Sequence, residues 1–241
     1  MKQRLPWVSW GAALLAAYGL KLSYSRASAG DLSWILVPTA RAVGWLRGET
    51  LIWSPGAGCS GCSGWIPPDG SYRIAPVCAG VNFLILVLVV SVLGFAHRLS
   101  SPGQRLAWWL ASLLGAYAVT IAVNTLRILA AVELYRIGPV TWLTREQEHR
   151  LLGTVLYLGA LWGLFCLLDR LTSQGARSRL AAAVLVPGAY LGMTVAVPLL
   201  NGASGERFVE HAMMVSLTVL ILVAVLWRTR DGQTDDPGRR G

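Results

Sequence analysis

Charged residues are scarce in this chain. They make up 14% of its 241 residues, against roughly a quarter in soluble domains. With 54% hydrophobic residues and a mean hydropathy of +0.53, that scarcity excludes an ordinary soluble domain and points to a membrane protein. The sequence also lacks a low-complexity block, an internal repeat and an appended soluble domain. No clean small-residue cleavage site follows the first apolar run, so that run is expected to be retained rather than removed as a signal peptide. The net charge of +9 raises nucleic acid as a partner. There is, however, no basic stripe interleaved with exposed aromatics, and basic residues beside membrane helices set topology instead. Lipid is the expected partner, and nucleic acid is not.

Long apolar runs dominate what remains. A bilayer core needs about 20 mostly apolar residues per helix. Stretches at about 6–25, 79–97, 106–128, 150–168, 180–199 and 212–227 qualify. A seventh, "LSWILVPTARAVGWL" at 32–46, is shorter than a span and contains Pro38 and Arg41. It is either a poor spanning helix or a segment that lies on the membrane surface or re-enters it. The positive-inside rule arbitrates. If 32–46 does not span and Lys2 and Arg4 are cytoplasmic, the short basic loops 97–105 and 169–179 and the basic tail (Arg228, Arg230, Arg239, Arg240) are cytoplasmic too. The longer connections, holding Asp31, Glu49, Asp69, Glu133, Glu146, Glu148, Glu206 and Glu210, then face outward. The expected architecture is all-α and polytopic: one domain of about six transmembrane helices plus one interfacial or re-entrant segment, and an outer loop over 26–78 in which Trp34 and Trp45 suit an interface.

With that topology the reactive side chains collect at the outer face. Cys78 opens the second span, with Pro76 before it and Gly80 after it. The third span ends in "AVNTLRILAA", and the i, i+3 spacing puts Asn124 and Arg127 on one helical face. In "LTREQEHRLLG", Thr144 and Gln147 form a capping-box pattern that predicts a helix starting near 145, with His149 in its second turn and Gly153 one turn deeper. Each residue has a plain structural explanation: a packed thiol, a snorkelling arginine, an interfacial histidine, an interhelical amide. Their joint occurrence at one depth favours chemistry. A thiol must be converted to thiolate to attack, and a helix N-terminus contributes partial positive charge and free N–H groups. His149 can take the thiol proton and return it to a leaving amine. Arg127 can stabilise an oxyanion or bind a substrate carboxylate. Glu146 and Glu148 are weak orienters of the imidazole, and His211, beside Glu210, is the alternative base. His97 falls on the cytoplasmic side.

The series "VCAGVNFL", "NTLRI", "HRLLG" at successive helix mouths resembles the exosortase/archaeosortase family, with "CAGVNFL" most similar to the exosortase K branch. The resemblance covers about 75–170, the catalytic core; the ends match only by hydropathy. It implies a multi-pass cell-membrane thiol protease or transpeptidase with Cys78 as nucleophile, Arg127 as the family arginine, His149 as acid/base and Asn124 in support. It also implies exported protein substrates with a C-terminal sorting tail, cut at the extracytoplasmic face and then released or passed to a surface acceptor. The chemistry requires no metal or organic cofactor.

Two alternatives stand beside it. Cys59 and Cys62 form C-x-x-C in a compartment where disulfides persist, so a membrane thiol–disulfide oxidoreductase feeding a quinone is one. A second outer cysteine pair is lacking, Cys166 falls near the inner end of the fourth span, and a zinc half-site lacks its mate. A local disulfide or free thiols tightening a Gly-rich loop is the simpler account of that pair. A transporter or scaffold is the other alternative, suggested by "VPGAYLGMTVAVPLL" at 186–200, but paired interrupted helices are lacking and mid-membrane ionisable groups are few.

Overall fold

A computed structural model describes residues 7–56, 63–138, 143–172 and 177–231. Cys59 and Cys62 lie outside the described residues. The chain divides into two compact units, Met1–Thr144 and Arg145–Gly241, each described by itself. Among the described residues the fold is all-α apart from one small hairpin. Among the described residues, four helical stretches are long and apolar enough to cross a membrane: Pro76–Arg98, Pro102–Ile137, Arg145–Leu171 and Glu206–Val225.

The first unit is built around α3 (Val81–Phe95), whose sequence is hydrophobic on every face. Such a helix belongs in a core, and 12 of its 15 residues are buried. Helix α1 (Trp7–Arg26) runs antiparallel to it: Lys21 Nζ donates to Asn82 Oδ1 at 2.9 Å near one end, and the rings of Trp10 and His97 meet at 6.5 Å near the other. Gly, Ser, Tyr and Lys21 dilute the apolar character of α1, which is why it falls outside the four strongly apolar helices. Helix α4 (Pro102–Ile137) is capped by Ser101 and Gln104, each side chain bonding the other's backbone N–H, and it packs antiparallel to α3, with Trp108 Nε1 donating to the Ser91 carbonyl at 3.1 Å. Its large exposed apolar side chains Leu106, Leu110 and Leu114, one helical turn apart, form a face suited to lipid rather than water.

The short segment at 32–46 forms helix α2 (Ser33–Arg47), which buries Ile35, Leu36, Thr39, Ala40, Val43 and Gly44 along one stripe. It stands alongside the C-terminal half of α4 rather than across it. At one end the Tyr117 hydroxyl donates to the Trp34 carbonyl at 2.6 Å, and at the other Arg47 Nη1 meets Glu133 Oε1 at 2.8 Å. Those anchors are 13 residues apart on α2 (47 − 34) and 16 apart on α4 (133 − 117), about 20 and 24 Å at 1.5 Å per residue, so the two helices run parallel. Gly48, at φ 68°, ends α2 in the left-handed conformation that glycine adopts without strain. The loop beyond it carries β1 (Ile52–Ser54) paired antiparallel with β2 (Gly64–Ile66), with Trp53 opposite Trp65. A second set of polar contacts ties this loop to α2 and α4. Glu49 accepts from Arg47 Nε at 3.0 Å and from the Tyr72 hydroxyl at 3.0 Å, while Glu133 accepts from Arg47 and Arg136.

In the second unit, α5 (Arg145–Leu171) starts where the capping pattern predicts and packs on α6 (Arg177–Leu191) and α8 (Glu206–Asp231). A π-helical turn, Gly192–Ala196, joins α6 to α7 (Val197–Leu200) ahead of Pro198, whose missing N–H disrupts the regular ladder.

Candidate functional site

The stretch around Cys78 is shaped by three small or special residues. Ala75, preceding a proline, is held extended (φ −81°, ψ 162°). Pro76 then starts a single 3-10 turn, Pro76–Ala79, closed by the Cys78 N–H donating to the Ala75 carbonyl at 2.8 Å. Gly80, at φ 73°, ends that turn, and its carbonyl accepts the first hydrogen bonds of α3, from Phe83 and Leu84. Cys78 therefore sits in a separate turn just ahead of α3, not in the first turn of the helix itself. The cysteine is half-buried, and it and Cys166 are free thiols.

Helix α4 supplies the second wall. Asn124, fully buried, donates from Nδ2 to the Cys78 carbonyl at 2.5 Å. That carbonyl lies at the end of a 3-10 turn, where backbone acceptors lack partners within the turn. Gly80 makes the approach possible. A Cβ there would lie 3.2 Å from Asn124 Cγ and 3.3 Å from Thr120 Cγ2, tighter than ordinary contact. So "CAG" has a physical reading: a thiol on the turn, an alanine with no exposed surface, and a glycine required by both its backbone angle and its neighbours.

Arg127 is half-buried, three residues beyond Asn124 on α4. From α1, the half-buried Tyr24 brings its phenol within electrostatic reach of both Cys78 and Arg127. The Lys21 ammonium lies 5.7 Å from the centre of the Tyr24 ring. The first unit thus places Asn124 on the Cys78 carbonyl, with Arg127 three residues along the same helix, and brings Tyr24 beside them, a residue that the sequence does not single out. Its only signal there is a tyrosine at the end of an apolar run, and interfacial tyrosines are common. A cleft of about 460 Å³ opens beside this cluster, lined by Leu20, Tyr24, Arg26, Asp31, Trp34 and Val81 among others. Within it Asp31 accepts from the Ser28 N–H at 2.8 Å and the Ser28 hydroxyl at 2.7 Å, which hold its carboxyl below the usual range.

His149 belongs to the second unit. It is half-buried in the second turn of α5, next to Glu148, which is buried and paired with Arg145 at 3.3 Å. Glu146 is paired with Arg150, so both carboxylates flanking His149 have cationic partners of their own. Gln147 Nε2 donates to Glu210 Oε1 at 2.6 Å, joining the first turn of α5 to the second turn of α8, and His211 lies within electrostatic reach of Arg150. His97 lies at the far end of α3 from Cys78, beside Trp10. Among the described residues no group of three or more His, Cys, Asp or Glu side chains is arranged to hold a metal ion.

No protein-family model, curated protein or solved structure matches the chain.

Proposed function

We propose that this chain is a membrane-embedded thiol peptidase or transpeptidase that cuts the C-terminal sorting tail of exported proteins at the extracytoplasmic face of the cell membrane. The observation that carries the reading is the buried Asn124 amide on the Cys78 carbonyl, with Arg127 three residues along the same helix. A turn held this way presents a half-buried thiol on a rigid mount, which suits nucleophilic catalysis.

In the proposed reaction a general base takes the Cys78 Sγ proton, and the thiolate attacks the scissile carbonyl carbon. The carbonyl π electrons move to oxygen, and Arg127 stabilises the oxyanion. Collapse breaks the C–N bond, the protonated base returns the proton to the leaving amine, and a thioester remains on Cys78. Water or an amine acceptor at the surface then releases the new carboxyl end.

Six spans fit this reading: α1, α3, α4, α5, the α6–α7 rod and α8. The helix ends carrying Arg98, Arg105 and Arg170 would be cytoplasmic, and Cys78, Glu133 and His149 would face outward. Helix α4, with 36 residues, is about 54 Å long against a hydrocarbon core of about 30 Å. Its outer end would project beyond the bilayer, flanked by α2 and the loop. The test is processing of a tagged, tail-bearing exported protein from the same cell by wild type, Cys78→Ala and the double variant Cys59→Ser/Cys62→Ser. The proposal expects Cys78→Ala alone to leave the tail uncut. Equal failure of the double variant, with partner proteins accumulating reduced, would instead favour thiol–disulfide exchange.

A further inference from the structure

The cleft and the thiol turn share one side chain. Tyr24 lines the cleft, and its phenol is also within electrostatic reach of Cys78 and Arg127. Val81, on the cleft wall, is three residues past Cys78 and separated from it only by Ala79 and Gly80. The antiparallel packing of α1 on α3, with Lys21 bonded to Asn82 at 2.9 Å, fixes Tyr24 at this end of the unit. The cleft is lined by the apolar side chains of Leu20, Leu32, Trp34 and Val81 and by the polar side chains of Ser23, Arg26 and Asp31. About 460 Å³ is within the range of sites that enclose small ligands, and it is room for a few peptide residues.

We infer that this cleft seats the substrate segment flanking the scissile bond, as an extended peptide with apolar side chains, and that the Tyr24 hydroxyl donates to a backbone carbonyl of that segment. The inference rests on the thiol peptidase reading above. An extended peptide entering between α1 and α2 needs donors for its own carbonyls, because the apolar walls offer none. The Tyr24 phenol is a donor on a stiff side chain that lines the cleft and is within electrostatic reach of the nucleophile. The selectivity that follows is for apolar over charged side chains next to the cut, set by Leu20, Leu32 and Trp34.

The test compares Tyr24→Phe, Ala27→Trp and Cys78→Ala in full-length protein in native membranes. The probe is a tagged exported protein carrying a C-terminal apolar helix with a basic end. Tyr24→Phe keeps the ring and removes the donor. The expected result is a five- to tenfold fall in kcat/KM, carried mainly by KM, the size of one lost neutral hydrogen bond. Ala27→Trp fills the cleft from its rim and is expected to raise KM further. Alkylation of Cys78 by a small maleimide, read by peptide mass, stays at the wild-type rate in both variants, which a merely structural role for Tyr24 would not allow. Wild-type kcat/KM in Tyr24→Phe, or a fall in which KM is unchanged or Cys78 alkylation slows in step, overturns the inference. Wild-type processing by Cys78→Ala would instead overturn the peptidase reading itself.

Discussion

The side-chain amide of Asn124 and the backbone carbonyl of Cys78 are 46 positions apart in sequence and 2.5 Å apart in space. The contact fixes the turn that carries the thiol by a group on another helix. Removing it leaves a buried carbonyl without its donor. Asn124→Ala is expected to destabilise the first unit by about 1–3 kcal/mol and to slow processing without abolishing it. Thermal unfolding in detergent beside a processing time course checks both. Unchanged stability would mean the turn holds its shape alone.

Gly80→Ala and Gly48→Ala form a matched pair. Both glycines have positive φ, 73° and 68°, so each alanine incurs left-handed strain of about 1–2 kcal/mol. Only at Gly80 would the new methyl crowd Asn124, for no atom lies within 4 Å of a Cβ built at Gly48. A larger loss of stability is therefore expected from Gly80→Ala than from Gly48→Ala, and loss of processing from Gly80→Ala alone.

The loop network makes a pH prediction. Burial and the bond to Glu49 push the Tyr72 phenol up to about 12, from an ordinary value near 10. The raised value means the folded state favours the protonated phenol. Its contribution to stability is therefore present in full below about pH 10 and lost as pH rises through about 12. Ultraviolet titration of wild type minus Tyr72→Phe is expected to show that late transition, and Glu49→Gln to move it back toward 10.

Arg47 bridges Glu49 and Glu133 with separate nitrogens, at 3.0 and 2.8 Å. Lysine offers one compact ammonium in place of that fork. Arg47→Lys is expected to loosen the loop from α4, read as faster proteolytic nicking within 48–75, with Cys78 alkylation unchanged. Equal nicking rates would show that α2 packing alone holds the loop.

Several features were legible in the sequence because they are local. The start of α5 at Arg145 followed from a capping pattern. The shared face of Asn124 and Arg127 followed from helical spacing. Other features depend on contacts between distant segments and carry no periodic signal. The separate turn of Cys78 is set by Gly80 meeting α4, and the upright stance of α2 is set by Tyr117 and Glu133. Tyr24 joins the site only because α1 runs back along α3. From its own neighbours it reads as one more interfacial aromatic.

The most direct test of the central claim is to capture the covalent intermediate. Wild-type protein in native membranes is incubated with the tagged tail-bearing protein, quenched in acid and mapped by mass spectrometry. The account predicts the substrate's new carboxyl end joined to Cys78 as a hydroxylamine-labile thioester, absent in Cys78→Ala. Tail cleavage with no adduct on Cys78, or an adduct on Cys59 or Cys62 instead, would contradict it.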